Sequence, residues 1–245
     1  MRLALVNARF TLIETVRIPI AVIGTVFFPA ITMIFFVVPF AGDQPLAATF
    51  ATASMVTFAI MTTNLFQYGI GIAEDRAQPW NPYTRTLPAG PGPQFAGRVL
   101  CGLLLTFVSL TPVVVIAAVA TEATVEPVRL ALAAGTVVIV AVPFTLMGLT
   151  IGYALPSKAA IAVAQVLFFP LAFAGGLLSA PGQAPGWVET IAPYVPTRGA
   201  VELMWATVGP FAADRTAMIS FAAWSVVFGA TAVWAYRRDE GRRFR

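Results

Sequence analysis

Six long apolar runs decide what this chain can fold into. They occupy residues 18–40, 46–70, 96–120, 128–155, 159–178 and 216–236, and none contains an acidic residue. A helix needs roughly 20 apolar residues to cross the hydrocarbon core of a bilayer, and every run is about that long or longer. Backbone groups in lipid have no water to bond, so the spanning structure is either helical or a closed barrel. The runs are continuous instead of alternating, which selects helices. Composition agrees: 58% of the 245 residues are hydrophobic and 11% charged, against about 25% charged in soluble domains. The expectation is an all-α integral membrane protein with six transmembrane helices in one domain covering residues 1–245.

The sequence also excludes several chemistries. It has no histidine and one cysteine, Cys101, inside an apolar run. His-based catalysis, His-ligated metals, cysteine clusters and intrachain disulfides are therefore all removed. Lys158 is the one lysine, and it sits in Pro-Ser-Lys-Ala with no glycine-rich turn before it. A Walker-type phosphate loop is thus missing, and ATP must be handled elsewhere if it is used at all. With no acid in any run, an ion-coupled relay or a membrane-embedded aspartyl protease is also disfavoured.

The formal charge of +4 does not point to nucleic acid, because the positions matter more than the sum. With the N-terminus inside, Arg2, Arg9, Arg17, Arg76, Arg85, Arg98, Lys158, Arg237, Arg238, Arg242, Arg243 and Arg245 fall on the cytoplasmic side. Arg129, Arg198 and Arg215 fall outside. This bias predicts a multi-pass protein with both termini cytoplasmic.

Residues 1–17 are too charged for a signal-peptide core and fit an interfacial helix, with Asn7, Thr11 and Glu14 on one side and apolar residues over the other. Two connections stand out. Residues 71–95 form a polar, proline-rich island, expected to be a cytoplasmic coupling loop. Residues 179–215, outside, mix Pro181, Pro185, Pro193 and Pro196 with Trp187, Tyr194 and Trp205, a pattern suited to a helical re-entrant segment. Pro19, Pro29, Pro112, Pro143 and Pro170 invite kinks within the spans.

The embedded polar residues are uncharged. Asn64 and Gln67 lie i, i+3 on one face of the second span, and Gln165 lies in the fifth. They either hydrogen-bond between helices or line a substrate path. Glu202 is an acid within an external apolar stretch, and either pairs with Arg198 four residues earlier or lines an exit gate. Gly175 and Gly176 are either a hinge or a close helix contact.

Within the island, Glu74-Asp75-Arg76, Arg85, Leu87-Pro88 and Gly97-Arg98-Val99-Leu100 resemble the run after the second span of daunorubicin-resistance-like permeases. Outside, Gly175-Gly176, Pro181, Pro185, Gly186-Trp187, Ile191, Pro193, Pro196 and Ala200-Val201 resemble the segment before their last span. The chain thus resembles the membrane subunit of an ABC-2 type exporter. One departure is Gln78-Pro79-Trp80, where the family commonly has a glycine after the acidic cluster.

The resemblance implies the ABC-2 exporter fold in a bacterial inner membrane, with no cofactor on this chain. ATP and Mg would belong to a separate cytoplasmic ATPase subunit, and a second permease subunit, in a homo- or heterodimer, would complete the pathway. Glu74, Asp75, Arg76, Trp80 and Arg85 would dock the ATPase. Gly175, Gly176, Trp187, Arg198 and Glu202 are the candidates for an external gate or re-entrant segment. The implied cargo is a drug or lipid-like molecule, with a lipid-linked glycan as an alternative. From another class, a non-transporting scaffold that recruits an ATPase is a third reading.

Overall fold

A computed structural model describes residues 2–17, 27–79, 91–179, 181–182 and 184–241. Every regular element among them is helical. In order these are α1 (Arg2–Arg17), α2 (Phe27–Ala41), α3 (Pro45–Ala77), α4 (Pro91–Ala120), α5 (Pro127–Ala154), α6 (Ser157–Ala174), α7 (Gly186–Ile191), α8 (Pro196–Val208) and α9 (Arg215–Gly241). Five of them, α3, α4, α5, α6 and α9, are long and apolar enough to cross a membrane. Of the first expected run, the structure describes α2 only; residues 18–26, with Pro19, lie outside the described residues, as do Trp80 and Arg85.

Prolines mark where helices begin. Pro45, Pro127 and Pro196 occupy the first helical turn, where a missing N–H leaves no bond unmade, and each follows a residue in extended conformation. Pro112, Pro143 and Pro170, expected to offset or kink their spans, sit inside helices that continue through them. Residues 71–95 differ from the expected loop at both ends. Gly71–Ala77 prolongs α3, because Ala, Glu and Arg favour helix and nothing before Gln78 breaks it. Gln78 then turns extended, with ψ 138°, ahead of Pro79. Helix α4 has already started at Pro91.

Burial ranks the helices. In α3 78% of the most apolar stretch is buried, against 11% in α9, so α3 is the axis of the bundle and α9 lies at its edge. Met61, Leu65 and Phe58 of α3 pack with Phe144 of α5, Phe168 of α6 and Trp205 of α8 in one continuous core. Around α3, α4 and α5 lie close, α8 wedges between α3, α5 and α9, and α1 packs along α4. Leu3, Leu5, Val6 and Phe10 of α1 stay exposed, which leaves an apolar strip suited to a membrane surface.

Two local features tighten the α3–α5 contact. Residues Leu65–Ile70 form a π-helical segment within α3. Opposite it, a Cβ on Gly148 would lie 2.8 Å from the carbonyl oxygen of Asn64 and 2.9 Å from Cβ of Tyr68. Only glycine permits that approach, the device by which helices come together in lipid. Hydroxyl pairs tie α5 to its other neighbours: Thr136 Oγ1 lies 3.1 Å from Thr207 Oγ1 on α8, and Thr150 Oγ1 is 3.1 Å from Thr231 Oγ1 on α9.

Candidate functional site

The polar residues of the bundle gather at three levels, one at each end and one between. At the first end, the last turn of α3 presents Arg76. Its Nη1 donates to the carbonyl oxygens of Gly152 at 2.7 Å and Leu155 at 3.1 Å, satisfying the open carbonyls at the C-terminus of α5. Positive charge there also complements the helix dipole. Nε donates to Asp239 Oδ1 on α9 at 3.1 Å, and Nη2 reaches the same oxygen. Asp239 is 6% exposed and Arg76 20%, so the pair is largely desolvated. One residue away, Asp75 pairs with Arg98 of α4 at 2.8 Å. Ser157, at the start of α6, donates to the Ala73 carbonyl at 2.9 Å. Within one helical turn, then, α3 is tied to α4, α5, α6 and α9. Glu74, between these anchors, points into the open and is exposed.

Midway along α3, Asn64 is 2% exposed. Its Nδ2 donates to the Ile60 carbonyl at 2.8 Å and to Thr106 Oγ1 of α4 at 3.2 Å. Its Oδ1 accepts from Thr145 Oγ1 of α5 at 2.9 Å. Thr63 donates to Ser109 Oγ of α4 at 2.9 Å. One of these Asn64 bonds stays within α3, and the other two reach α4 and α5. Gln67 is half-buried in the π-helical segment, and Gln165 is exposed on α6. The two are not part of the Asn64 network.

At the opposite end, Arg198 pairs through Nε with Glu202 Oε1, both on α8. Glu202 is 2% exposed, and its Oε2 accepts the Asp214 N–H at 2.7 Å. Asp214 Oδ2 in turn accepts the Ala217 N–H at 3.0 Å, holding the first turn of α9. The Arg198 guanidinium lies 5.3 Å from the centre of the Trp205 ring, and Trp205 Nε1 donates to Phe50 O at 3.1 Å and Ser54 Oγ at 3.0 Å of α3. Gly175 and Gly176 end α6 against this cluster. Gly176 has φ +71° and would bring a Cβ to 3.1 Å from Nη1 of Arg198, so both its backbone and its surroundings call for glycine. Trp187, on α7, is 61% exposed and stands apart from the Arg198–Glu202 pair. Beside Ser54 opens a cavity of about 480 Å³, bordered by Phe36, Phe40, Gln44 and Leu177.

Sequence reasoning missed Asp239, Thr106, Thr145 and Trp205 as members of these sites. Asp239 had a weak signal, an acid inside the basic run Arg237-Arg238-Asp239-Glu240. The two threonines had none, since hydroxyls are scattered through every span.

This arrangement ties helices together, with its two charged clasps at opposite ends of an apolar bundle. Comparison with known proteins agrees. The ABC-2 type transporter family matches residues 2–208. A protein of Bacillus subtilis (strain 168) named "Putative transport permease YvfS" is 22% identical over 144 residues, which cover 59% of this chain and 59% of that protein. Matched over residues 2–208 of its 245, the chain belongs to the ABC-2 type transporter family.

Proposed function

We propose that this chain is the membrane-spanning permease subunit of an ATP-driven exporter that moves a hydrophobic or amphiphilic compound out of the cytoplasm or inner leaflet of a bacterial cell membrane. The Arg76 clasp carries this reading. It joins the ends of α3, α5 and α9 through one guanidinium, with α4 and α6 attached within a turn. A push on residues 71–98 is therefore delivered to most of the bundle at once, as rigid-body coupling requires. The excess of Lys and Arg at this end supports a cytoplasmic position. The lack of a phosphate loop supports a separate ATPase docked there, with exposed Glu74 among its contacts. Trp80 and Arg85 belong to the same docking proposal. In this orientation α7 and α8 form the external re-entrant segment: α8 has 13 residues, about 20 Å of helix, too short to cross. The cavity beside Ser54 would open outward, next to Gly176 and the Arg198–Glu202 pair, while half-buried Gln67 is the remaining candidate on α3 for contact with cargo.

The test is reconstitution of the permease with a candidate ATP-binding subunit, reading ATP hydrolysis and flux across a panel of hydrophobic compounds. Glu74→Lys should reduce co-purification of the ATPase and its stimulation by cargo while leaving the permease folded. Unchanged co-purification and coupling in that variant would remove Glu74 from the docking surface. ATPase binding without flux for any compound would favour a scaffold.

A further inference from the structure

The outward face of α9 carries a feature that the transport reading does not use. Gly229 and Val233 border two adjoining cavities. One, of about 340 Å³, is almost wholly apolar and runs between α9 and α5, walled by Leu146, Leu149, Tyr153 and Tyr236. The other, of about 770 Å³, is shallower and passes along Val226, Ala230 and Trp234 to Arg237 and Arg238. Gly229 has no side chain to divide them, and a Cβ there would only touch Leu146 Cδ1 at 3.7 Å.

The depth and the charge of this double groove select its occupant. From Val226 to Arg237 is eleven residues of helix, about 17 Å, close to half of a hydrocarbon core about 30 Å thick. At its mouth, both guanidiniums are exposed and neither is ion-paired among the described residues, whereas Arg76, Arg98 and Arg198 all are. Arg238 stacks 5.1 Å from the centre of the Trp234 ring, which fixes it at the groove. A second copy of this chain would bring like charges together here. A bilayer supplies an apolar chain of that length ending in an anion.

We propose that this face binds one anionic diacyl phospholipid of the leaflet that meets Arg237, with its phosphate at Arg237 and Arg238 and one acyl chain in each groove. The inference requires only that the chain spans a bilayer, and it is measured without the ATPase, so loss of transport and loss of lipid binding are separate results. The full chain is placed in phosphatidylcholine nanodiscs, and tryptophan fluorescence is quenched with brominated phosphatidylglycerol or brominated phosphatidylcholine. The share of Trp234 is obtained by difference from Trp234→Phe. At an attraction of about 1 kcal/mol for each arginine, the anionic lipid should be preferred on the order of five- to thirtyfold. Arg237→Gln/Arg238→Gln should bring that preference to about one. Gly229→Leu, which fills the groove and keeps the charge, should lower quenching by both lipids while buried Trp205 reports an intact core. Equal quenching by the two lipids in the parent protein, or a preference that survives Arg237→Gln/Arg238→Gln, overturns the proposal.

Discussion

At the scale of single residues, Arg76 and Asn64 do comparable work by different means. Arg76 makes bonds of two kinds, to a carboxylate and to two carbonyls, so its partners can be separated by mutation. Arg76→Ala removes both the ion pair to Asp239 and the cap on α5, and should cost on the order of 3 kcal/mol. Asp239→Asn keeps the carbonyl bonds and should cost distinctly less. Thermal unfolding in detergent reads both, and equal losses would mean that the carbonyl bonds contribute nothing. Asn64→Ala should cost about 1–2 kcal/mol, since in lipid even a shared hydrogen bond is worth only that much. Gln67→Ala should leave stability nearly unchanged, and any effect should appear in the dependence of ATP hydrolysis on cargo. Asn64 and Gln67 look alike in sequence, three residues apart on one helical face. The structure separates them by burial, which depends on the neighbouring helices and cannot be read from either residue alone.

At the scale of helices, small residues decide how closely the axes approach. Gly148→Val would drive a branched side chain into the Asn64 carbonyl, and the overpacking should cost about 1–3 kcal/mol. A gain or no change in thermal stability would show that the π-helical segment of α3 can yield. The positions of the long helices were legible in the sequence because lipid imposes one strong rule: expected runs 96–120, 128–155 and 216–236 fall on α4, α5 and α9. Their ends were less legible. Hydropathy falls at Gly71, yet α3 continues to Ala77, because helix propensity and the Arg76 bonds decide where a helix stops. In the same way, periodicity could suggest an Arg198–Glu202 pair but had no means of finding Asp214, which completes it through a backbone N–H.

At the scale of the whole molecule, the apolar surface is unevenly distributed, and this bears on assembly. Phe35, Phe36 and Phe40 of α2 and Phe169 and Phe173 of α6 are exposed, and Gln165 is exposed one turn from Phe169. Helices α2 and α6 adjoin, since the Phe28 ring lies 5.8 Å from Phe168 and 6.4 Å from Phe169. A glutamine amide facing lipid is costly, and interhelical hydrogen bonding to another subunit removes that cost. The face around Gln165 is therefore where the second permease subunit of the proposed exporter would sit. Cysteine chemistry can test this directly, because the native Cys101 is buried. In membranes, Gln165→Cys should give an oxidant-dependent, reducible dimer, as a twofold axis passing through this face brings the two copies of a position beside it together. A cysteine at Val226, exposed on α9, should not. Cross-linking at Val226 and none at Gln165 would move the contact to α9, onto the face assigned to lipid, and would count against both assignments at once.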